Sequence, residues 1–546
     1  MEKVKSYQCT TVTTASNRLE PVGSWHPQLR YVCCETEDSE EGKEIGQGTT
    51  GKYLAIQIWS SQMDKDISSD DGVVSFLNDV PSPDRNWEYL HKTPSAVKTE
   101  GPFRWPIIGS LLLMRALKKS QGFHHLSWSI LAQRYGPIVG LKLGQVGVVL
   151  VASPEMVRKV GSNPHLQGRP DGFFYRLRAN FGRGGLVFNE GASWLEQKRF
   201  CMQHLREFGL GKEVMGDLIE KEAEILLEWI GSAQGKPLLM ERPFEISVVN
   251  ILWAMLAGKR YSRDDEELNN ICVAINESFR LSDMSGGLLN QLPFLRFVAP
   301  KFCGYAAMKL NMAVISAFLQ VSFFCEYRTR VPIARHNDLY CICLDFLQAG
   351  MDTTSNTLSF FVLYMIMYPD AQKKMQQEID RVVGRERVPK LEDRDKMPYT
   401  TALIMEVQRL SNIAPGGVAH RATQDTELGG YTIPVNTILL TLLHDVHTSS
   451  VWGSSVEFSP ERFLACDGKM IISPNAFMPF GTGRRKCVGE VLAKANVFVF
   501  ATSLFQVFSV AAPDGTEKLR YEIRDGVTLC PKPYRAQWTR RIQTSQ

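Results

Sequence analysis

One stretch near the C-terminus decides the fold: Phe480-Gly-Thr-Gly483-Arg-Arg485-Lys-Cys487-Val-Gly489. Its glycines, Gly481 and Gly483, permit positive φ and let the backbone approach a bulky flat ligand. The apolar run that begins at Val488 and reaches about residue 508 predicts a helix whose N-terminus points at the cysteine sulfur. The helix dipole, the unpaired N–H groups and the nearby cations all favour thiolate over thiol. A thiolate in such a loop suits an axial iron ligand, whereas a lone cysteine elsewhere indicates only a buried thiol.

Six features occur in a fixed order in this stretch: Phe480, Gly483, Arg485, Cys487, Gly489 and the apolar helix behind them. The pattern resembles the haem-binding loop of cytochromes P450. The resemblance implies a P450 fold, mainly α with a small β portion, in which haem b lies between a long central helix and the cysteine loop. It also implies that Cys487 is the metal ligand, and that Phe480, Arg485 and Gly489 belong to the cofactor-binding residues.

A long helix is predicted from about residue 337 to residue 368, and it ends before Pro369. At its centre, Ala349-Gly350-Met-Asp352-Thr353 resembles the oxygen-activation motif of the same family. The resemblance implies that Ala349 and Gly350 let haem and O2 approach the helix backbone, and that Asp352 and Thr353 relay protons as the catalytic pair. The alternative is a mildly polar helix stripe whose threonine hydrogen-bonds back to its own helix.

Two further motifs suggest contacts with the haem propionates. Trp194 and Lys198 are four residues apart on one predicted helical face and resemble a family motif that has arginine in the lysine position. A lysine pairs with a carboxylate as a point charge and lacks the two-pronged geometry of arginine. His420 falls where the family often places a propionate ligand, and a solvated loop histidine is the alternative.

The remaining motifs predict elements of the structural scaffold. Glu406 and Arg409 are expected to form a buried structural triad with the arginine of Pro460-Glu461-Arg462-Phe463. Two strands are predicted over residues 135–143 and 146–151, and a helix is predicted to begin with Ser153 as its N-cap. Residues 169–189 are rich in glycine and aromatic residues. They are expected to form the lid and roof of a substrate pocket, or a surface loop with a few buried aromatics.

The chain divides into residues 1–100 and a haem domain over residues 101–546. The first part is polar, carries acidic clusters, and has no window of the ~18 apolar residues that a membrane anchor needs. Its interpretation stays open between disorder, a regulatory domain and a mis-joined gene model that replaces an anchor. Residues 321–336 are shorter than the corresponding family stretch and do not resemble it, so a second mis-joined exon or a real deletion is expected there.

The composition limits the classes of partner and the cellular compartment that are expected for this protein. The net charge of +4 with 22% charged residues gives no support for nucleic-acid binding. The twelve cysteines have no regular spacing, which favours reduced thiols over a secreted disulfide framework. The sequence around residues 169–174 and 204–209 is similar to that of insect microsomal P450s, the group that includes juvenile-hormone epoxidases.

The resemblance implies a cytochrome P450 monooxygenase that hydroxylates or epoxidises a lipophilic small molecule: a hormone, terpenoid, steroid or xenobiotic. NADPH would act through a separate NADPH–cytochrome P450 reductase, steered by Lys198, Arg199, Arg484 and Lys486, and cytochrome b5 is a further candidate partner. The expected location is the cytosolic face of the endoplasmic reticulum membrane, although this chain lacks the usual anchor. The alternatives are an inactive or non-monooxygenase haem protein of the same fold, or a non-catalytic binding protein.

Overall fold

Several helix ends in this chain coincide with residues that the sequence marks clearly. A computed structural model describes residues 101–179, 181–320, 336–515 and 519–541. The expectations for residues 1–100 and for residues 321–335 lie outside this range. In the described range, Ser153 accepts a hydrogen bond from the N–H of Met156, with Pro154 at the first helical position. This is the N-cap that the sequence predicted.

Helices form most of the described chain, and this confirms the mainly α fold class. Short one-turn 3-10 helices, which we leave unlabelled, occur between them. In chain order the α-helices are α1 Leu111–Gln121, α2 His124–Tyr135, α3 Pro154–Ser162, α4 Phe173–Arg178, α5 Gly191–Glu207, α6 Glu213–Ser232, α7 Glu245–Ala257, α8 Glu266–Arg280, α9 Gly287–Gln291, α10 Leu295–Val298, α11 Tyr305–Leu319, α12 His336–Met367, α13 Pro369–Val382, α14 Pro398–Ser411, α15 Leu443–His447 and α16 Glu490–Val507.

The β portion is small, as expected. The largest sheet has four strands in the order β1-β2-β7-β4, with β2 and β7 parallel and the other pairs antiparallel. A three-stranded sheet has the order β3-β11-β8, and β9 with β10 and β5 with β6 form two antiparallel pairs. The strands are β1 Ile138–Leu143, β2 Val146–Val151, β3 Leu238–Leu239, β4 His420–Arg421, β5 Thr426–Leu428, β6 Tyr431–Ile433, β7 Ile438–Thr441, β8 Phe508–Ala511, β9 Ile523–Arg524, β10 Cys530–Pro531 and β11 Arg535–Arg540.

The two longest apolar helices form the centre of the core. Helix α12 has 32 residues and is therefore about 48 Å long at ~1.5 Å per residue. It ends at Met367, and Tyr368 already has non-helical backbone angles because a proline follows it. Helix α16 is buried from Ala495 to Gln506 and packs against α6 and α12.

Among the described helices, α16 is the one that is long and apolar enough to cross a membrane. Two thirds of the tested window is buried inside the protein (67%), as in a core helix of a globular protein.

The Glu406 triad is a buried scaffold element, as predicted. Glu406 and Arg409 are both 0% exposed and make two hydrogen bonds of 2.8 Å. Arg462 donates from Nε to the same carboxylate at 3.0 Å, and the N–H of Ser459 donates at 2.9 Å. Arg409 also donates to the carbonyl of His447. Because the ion pair is fully buried, its remaining hydrogen-bonding groups must be satisfied by such backbone partners.

Candidate active site around the cysteine loop

The cysteine loop is a closed turn fastened to its neighbours by backbone contacts. The N–H of Cys487 donates to the carbonyl of Phe480 at 2.9 Å, which closes the loop. Gly481 and Gly483 have φ of 71° and 70°, as their sequence positions predicted. A Cβ on Gly481 would meet no atom within 4 Å, so this residue faces open space. A Cβ on Gly483 would lie 1.9 Å from the carbonyl oxygen of Gly161. The close approach that requires Gly483 is therefore to helix α3, and not to a flat ligand.

The Cys487 side chain is solvent-accessible, yet desolvation by the surrounding protein raises the pKa of its thiol. A thiol that is both accessible and desolvated faces a space enclosed by protein. The backbone N–H groups of Gly489 and Glu490 and the charge of Lys486 lower the pKa, but burial outweighs them. The helix N–H groups and the nearby cation thus act in the direction that the sequence predicted, and burial of the thiol is the opposing effect that the sequence did not show. A coordinated metal ion deprotonates such a thiol directly.

The enclosed space meets the middle of α12. Val488, next to Cys487, packs in one small apolar cluster with Leu186 and with Ile342 and Phe346 of α12. One turn after Phe346, Ala349 is exposed although it sits in the middle of the longest helix. Thr353 follows one turn later and is half-buried. We call Ala349 and Thr353 the open stripe of α12.

The Thr353 hydroxyl donates to the carbonyl of Ala349 at 2.8 Å. The back-bonded threonine that the sequence left as an alternative is thus present, and its oxygen keeps lone pairs that can accept a hydrogen bond. Gly350 does not belong to the open stripe. A Cβ there would lie 3.2 Å from Leu252, so this glycine lets α12 pack closely against α7.

Asp352 points away from Thr353. It is 1% exposed, and its Oδ2 accepts a hydrogen bond from Thr528 at 2.5 Å, with Arg280 at 3.9 Å. Its Oδ1 is buried and has no hydrogen-bond partner among the described residues. Burial raises the pKa of Asp352, while the charge of Arg280 and the hydrogen bond from Thr528 lower it. The structure therefore does not bring the two side chains of the predicted pair into contact.

Cationic and polar side chains converge beside the loop. Arg485 donates to the carbonyl of Gln167 from Nε and Nη2 at 3.1 and 2.9 Å, and its guanidinium lies 3.8 Å from the centre of the Trp194 ring. The Trp194 indole N–H donates to the carbonyl of Leu186. Lys198 lies over the same indole and donates to the carbonyl of Arg484 at 3.1 Å. The predicted Trp194, Lys198 and Arg485 thus form one group.

His420 belongs to the same group and is not a solvated loop histidine. It is 8% exposed, and its Nδ1 lies 2.8 Å from the carbonyl oxygen of Leu166, next to the Gln167 that holds Arg485. Burial lowers the pKa of His420 to about 3, and the charge of Arg169 adds to this effect. A nearby anion would act in the opposite direction.

Arg169 is the residue of this group that the sequence analysis missed. It is 4% exposed and donates from Nη1 to the carbonyls of Val418 and Ala419. Burial and the charge of Arg485 lower its pKa well below the usual range. Its contacts come from residues about 250 positions away, so no local sequence pattern marks it.

The group fits a cofactor that carries carboxylates. Nε of Arg169 and Nη1 of Arg485 are buried and have no hydrogen-bond partner among the described residues. Burial also lowers the pKa of Arg485 to about 10. Glu190 offsets part of the charge of these two guanidinium groups, and each of them still keeps an unsatisfied N–H that a further anion could accept. Haem carries two propionates that fit these donors, and the thiol of Cys487 would provide a ligand for its iron.

An open groove of about 630 Å³ lies along α5. It is close to the cysteine loop, since Lys198 contacts Arg484. Among the residues that line the groove, Glu207 is acidic and four residues are basic. The full lining is Leu195, Lys198, Arg199, Met202, Gln203, Arg206, Glu207 and Lys212.

Comparison with known proteins gives a consistent result. The family model described as Cytochrome P450 matches residues 99–321 and 309–538. The chain is 36% identical over 456 residues to Farnesoate epoxidase of Bombyx mori, covering 80% of this chain and 92% of the relative. It is 35% identical over 474 residues to Probable cytochrome P450 305a1 of Drosophila melanogaster (81% and 94%). It is 33% identical over 462 residues to Cytochrome P450 2J3 of Rattus norvegicus (80% and 90%).

Proposed function

The chain belongs to the cytochrome P450 family and is a monooxygenase of that family, and from this premise we propose that it inserts one oxygen atom of O2 into a lipophilic small molecule by hydroxylation or epoxidation. Haem supplies the activation of O2 when it is bound. The protein's own residues hold the cofactor, keep water out and manage protons.

In this proposal the Cys487 sulfur would ligate the haem iron, and the hydrogen bond that closes the loop at Phe480 holds this residue in place. Arg169, Arg485 and His420 would hold the propionates, and Lys198 would add a point charge over the Trp194 ring. The unsatisfied N–H groups of Arg169 and Arg485 are the single observation that carries the cofactor assignment. They are the donors that a carboxylate accepts most strongly in a desolvated site.

Protons would reach the open stripe through Thr353. Its hydroxyl can accept a hydrogen bond at the oxygen while it donates to Ala349. Asp352, whose pKa is raised by burial, is the nearby reservoir of a proton. Because its carboxyl faces Thr528, delivery to the Thr353 side requires a rotation of the Asp352 side chain or a bridging water.

The cofactor assignment is tested by the carbon-monoxide difference spectrum of the reduced protein. The wild type should show the red-shifted Soret band of thiolate ligation, and Cys487→Ala should lose it. Cys466→Ala is the matched control, since Cys466 is also an accessible thiol but lies outside the loop. A Cys487→Ala protein that retains the band would overturn the assignment.

For the substrate we propose an unsaturated, lipophilic terpenoid. The support is the Bombyx mori relative, whose name describes a farnesoate epoxidase. The test is to supply the reconstituted protein with a sesquiterpenoid and to look by mass spectrometry for a product that has gained one oxygen atom. Substrate consumption without such a product would contradict the proposal.

We propose that electrons arrive from NADPH–cytochrome P450 reductase, with cytochrome b5 as a second donor, at the basic groove of α5. Arg199, Arg206 and Lys212 are exposed there. The sequence analysis also named Lys486 among the residues that steer the reductase. Lys486 is paired with Glu490 at 2.6 Å, so its charge attracts an acidic partner less than an unpaired lysine would. Complementary charge raises the association rate of an acidic partner and makes it depend on salt.

For location we propose the cytosolic surface of the endoplasmic reticulum membrane. The segment 106–114 is rich in apolar residues and is a candidate contact with lipid, but Leu113 and Met114 are buried. In that segment Ile107 is 69% exposed. A second apolar area that the sequence analysis missed lies around α10, and Arg115 of α1 sits 6.0 Å from the centre of the Phe302 ring. We call this the α10 patch: Phe294, Phe297, Val298 and Phe302, exposed by 54%, 74%, 51% and 61%.

A further inference from the structure

Arg169 is held by both of its backbone groups. Its N–H donates to Oε2 of Glu190 at 2.8 Å, and its carbonyl accepts a hydrogen bond from Nε of Arg421 at 3.0 Å. Nη2 of Arg421 in turn donates to Oε1 of Glu190. The three residues therefore form a closed ring of hydrogen bonds, which uses both oxygens of the carboxylate and two nitrogens of the guanidinium. We call it the Arg169 ring.

The Arg169 ring is fixed to strand β4. Arg421 belongs to β4, and its backbone N–H donates to the carbonyl of Gly168 at 2.8 Å. Its Nη1 donates to Asn436 at 2.6 Å. A Cβ on Gly168 would lie 2.7 Å from the carbonyl oxygen of Arg421 and 3.0 Å from Oε2 of Glu190. The glycine therefore leaves the room that the carboxylate needs to reach the N–H of Arg169.

The ring also joins the two ends of the segment 169–190. Glu190 directly precedes α5, and its carbonyl accepts a hydrogen bond from the N–H of Trp194 at 3.4 Å. The Trp194 ring lies 3.8 Å from the guanidinium of Arg485. Arg169, at the start of the segment, is thus brought to the same place as the side chains that follow its end.

The direction of the Arg169 side chain depends on this support. The side chain crosses to the carbonyls of Val418 and Ala419, and its buried Nε has no hydrogen-bond partner in the described part of the chain. A buried donor contributes to binding only where it meets its acceptor at hydrogen-bond distance. A small movement of the Arg169 backbone would therefore cost the site one of its two unsatisfied guanidinium donors.

We propose that Glu190 and Arg421 are positioning residues for the cofactor: through the Arg169 ring they hold the guanidinium of Arg169 where it binds a haem propionate. This inference rests on the cofactor assignment in the proposed function and deepens it, because it adds two residues that act through Arg169.

Positioning and simple charge balance predict different signs. If the two residues acted by charge alone, loss of the negative Glu190 would favour the propionates and loss of the positive Arg421 would disfavour them. Positioning predicts weaker haem binding in both cases, since either loss opens the ring. In Glu190→Gln an NH2 group replaces one acceptor oxygen and meets a donor of the ring. The direct charge effect is the smaller one, because water screens side chains that are 22% and 17% exposed.

The experiment measures the rate at which the ferric, haem-loaded full chain loses haem to an excess of apomyoglobin. Glu190→Gln and Arg421→Met should each lose haem at least about threefold faster than the wild type, because a charge-assisted hydrogen bond to the propionate is weakened in both. The double variant Glu190→Gln, Arg421→Met leaves the net charge unchanged and should lose haem at least about fivefold faster.

The matched control is Asp171→Asn. It removes a carboxylate two residues from Arg169 that pairs with Arg176 and Arg183 and lies outside the ring. Its rate of haem loss should stay within about twofold of the wild-type rate.

A second comparison asks whether the ring acts through Arg169. In an Arg169→Gln background, the same double variant should change the rate of haem loss by less than about twofold, because the group that the ring positions is already absent. The reduction potential of the haem iron gives an independent readout. The double variant should shift it to more negative values, since the charge of Arg169 moves away while the net charge is constant. The Arg169→Gln background should abolish this shift.

Each outcome decides for or against the inference. Slower haem loss in Glu190→Gln would overturn it in favour of charge balance. Equal rates in the wild type and the double variant would overturn it even if substrate is oxygenated. A persistent fivefold effect in the Arg169→Gln background would show a general role in folding of the segment, and would also overturn it. Faster haem loss in the ring variants without any oxygenated product would support the inference and count against the proposed function.

Discussion

At the scale of single residues, Thr353 contributes the hydroxyl group of the open stripe, and its removal should separate electron use from product formation. We expect Thr353→Ala to consume NADPH and O2 while peroxide replaces oxygenated product, with product formation at least about tenfold lower. Thr353→Ser is the matched control, because it keeps an oxygen at the same place. Unchanged coupling in Thr353→Ala would mean that the hydroxyl serves only its bond to Ala349.

A second prediction concerns Glu245 on α7, which is 3% exposed and accepts a hydrogen bond from Asn276 at 2.6 Å. Burial raises the pKa of Glu245 to about 8. A carboxyl group whose pKa is raised on folding stabilises the fold at pH values below its unfolded pKa. That contribution is lost as the pH rises through the folded value. The window therefore runs from about pH 4.5 to about pH 8.

Glu245→Gln should remove the loss of folding stability that the wild type shows as the pH rises. Its stability relative to the wild type should improve by at least about 1 kcal/mol between pH 5 and pH 8.5. The measurement is chemical denaturation at the two pH values. Glu241→Gln, at an exposed neighbouring position, is the control and should show no such change. Parallel stability curves for wild type and Glu245→Gln would contradict the prediction.

At the scale of elements, the basic groove of α5 should determine the response to the reductase. We expect the double variant Arg199→Glu, Arg206→Glu to lower reductase-driven turnover at least about tenfold at low salt and to weaken its salt dependence. Turnover supported by added peroxide, which needs no reductase, should stay near the wild-type rate. Lys469→Glu makes the same change of charge per site outside the groove and serves as the control. Equal losses in both assays would point to damage of the fold instead.

The elements also show where sequence reasoning works and where it ends. The cap at Ser153, the stop before Pro369 and the break between the strands predicted over residues 135–143 and 146–151 are local signals, and the structure confirms all three. Helix α4, in contrast, has only six residues inside a stretch of glycines and aromatics, and no periodicity marks it. The hydrogen bond between Asp352 and Thr528 joins residues 176 positions apart, so the direction of the Asp352 side chain was not predictable from its own helix.

The cysteine loop illustrates the same limit. Its positive φ angles followed from the glycines, but the contact of Gly483 with Gly161 depends on how α3 packs. Likewise the charge pattern predicted a stabilised thiolate, whereas the depth of burial reverses the direction of the pKa shift. The residue types predict which chemical groups a site contains, and the packing of distant elements sets the size and the direction of their pKa shifts.

At the scale of the whole molecule, the α10 patch should act in membrane attachment. We expect Phe294→Ser, Phe297→Ser and Phe302→Ser together to reduce the binding of the full chain to vesicles containing anionic lipid at least about tenfold. Each substitution removes an exposed aromatic side chain, and Arg296 and Lys301 lie in the same segment. Co-flotation with vesicles measures this binding.

A triple substitution of exposed apolar residues elsewhere, Val451→Ser, Val456→Ser and Ile472→Ser, is the control. It should leave vesicle binding unchanged. Equal loss of binding in the two triple variants would show that general surface hydrophobicity, and not the α10 patch, attaches the chain to lipid.

The buried pair Arg169 and Arg485 has a consequence for the life of the protein in the cell. The charge of Arg485 lowers the pKa of Arg169, and both guanidinium groups lower the pKa of His420, so the folded chain carries a repulsion that Glu190 offsets in part and that an anionic ligand would relieve further. A ligand that binds the folded state alone adds to its stability by mass action. The supply of haem should therefore limit how much of this chain survives synthesis. Cells starved of haem precursors should accumulate less protein from the same amount of messenger RNA, and the missing fraction should return when a protease inhibitor is added.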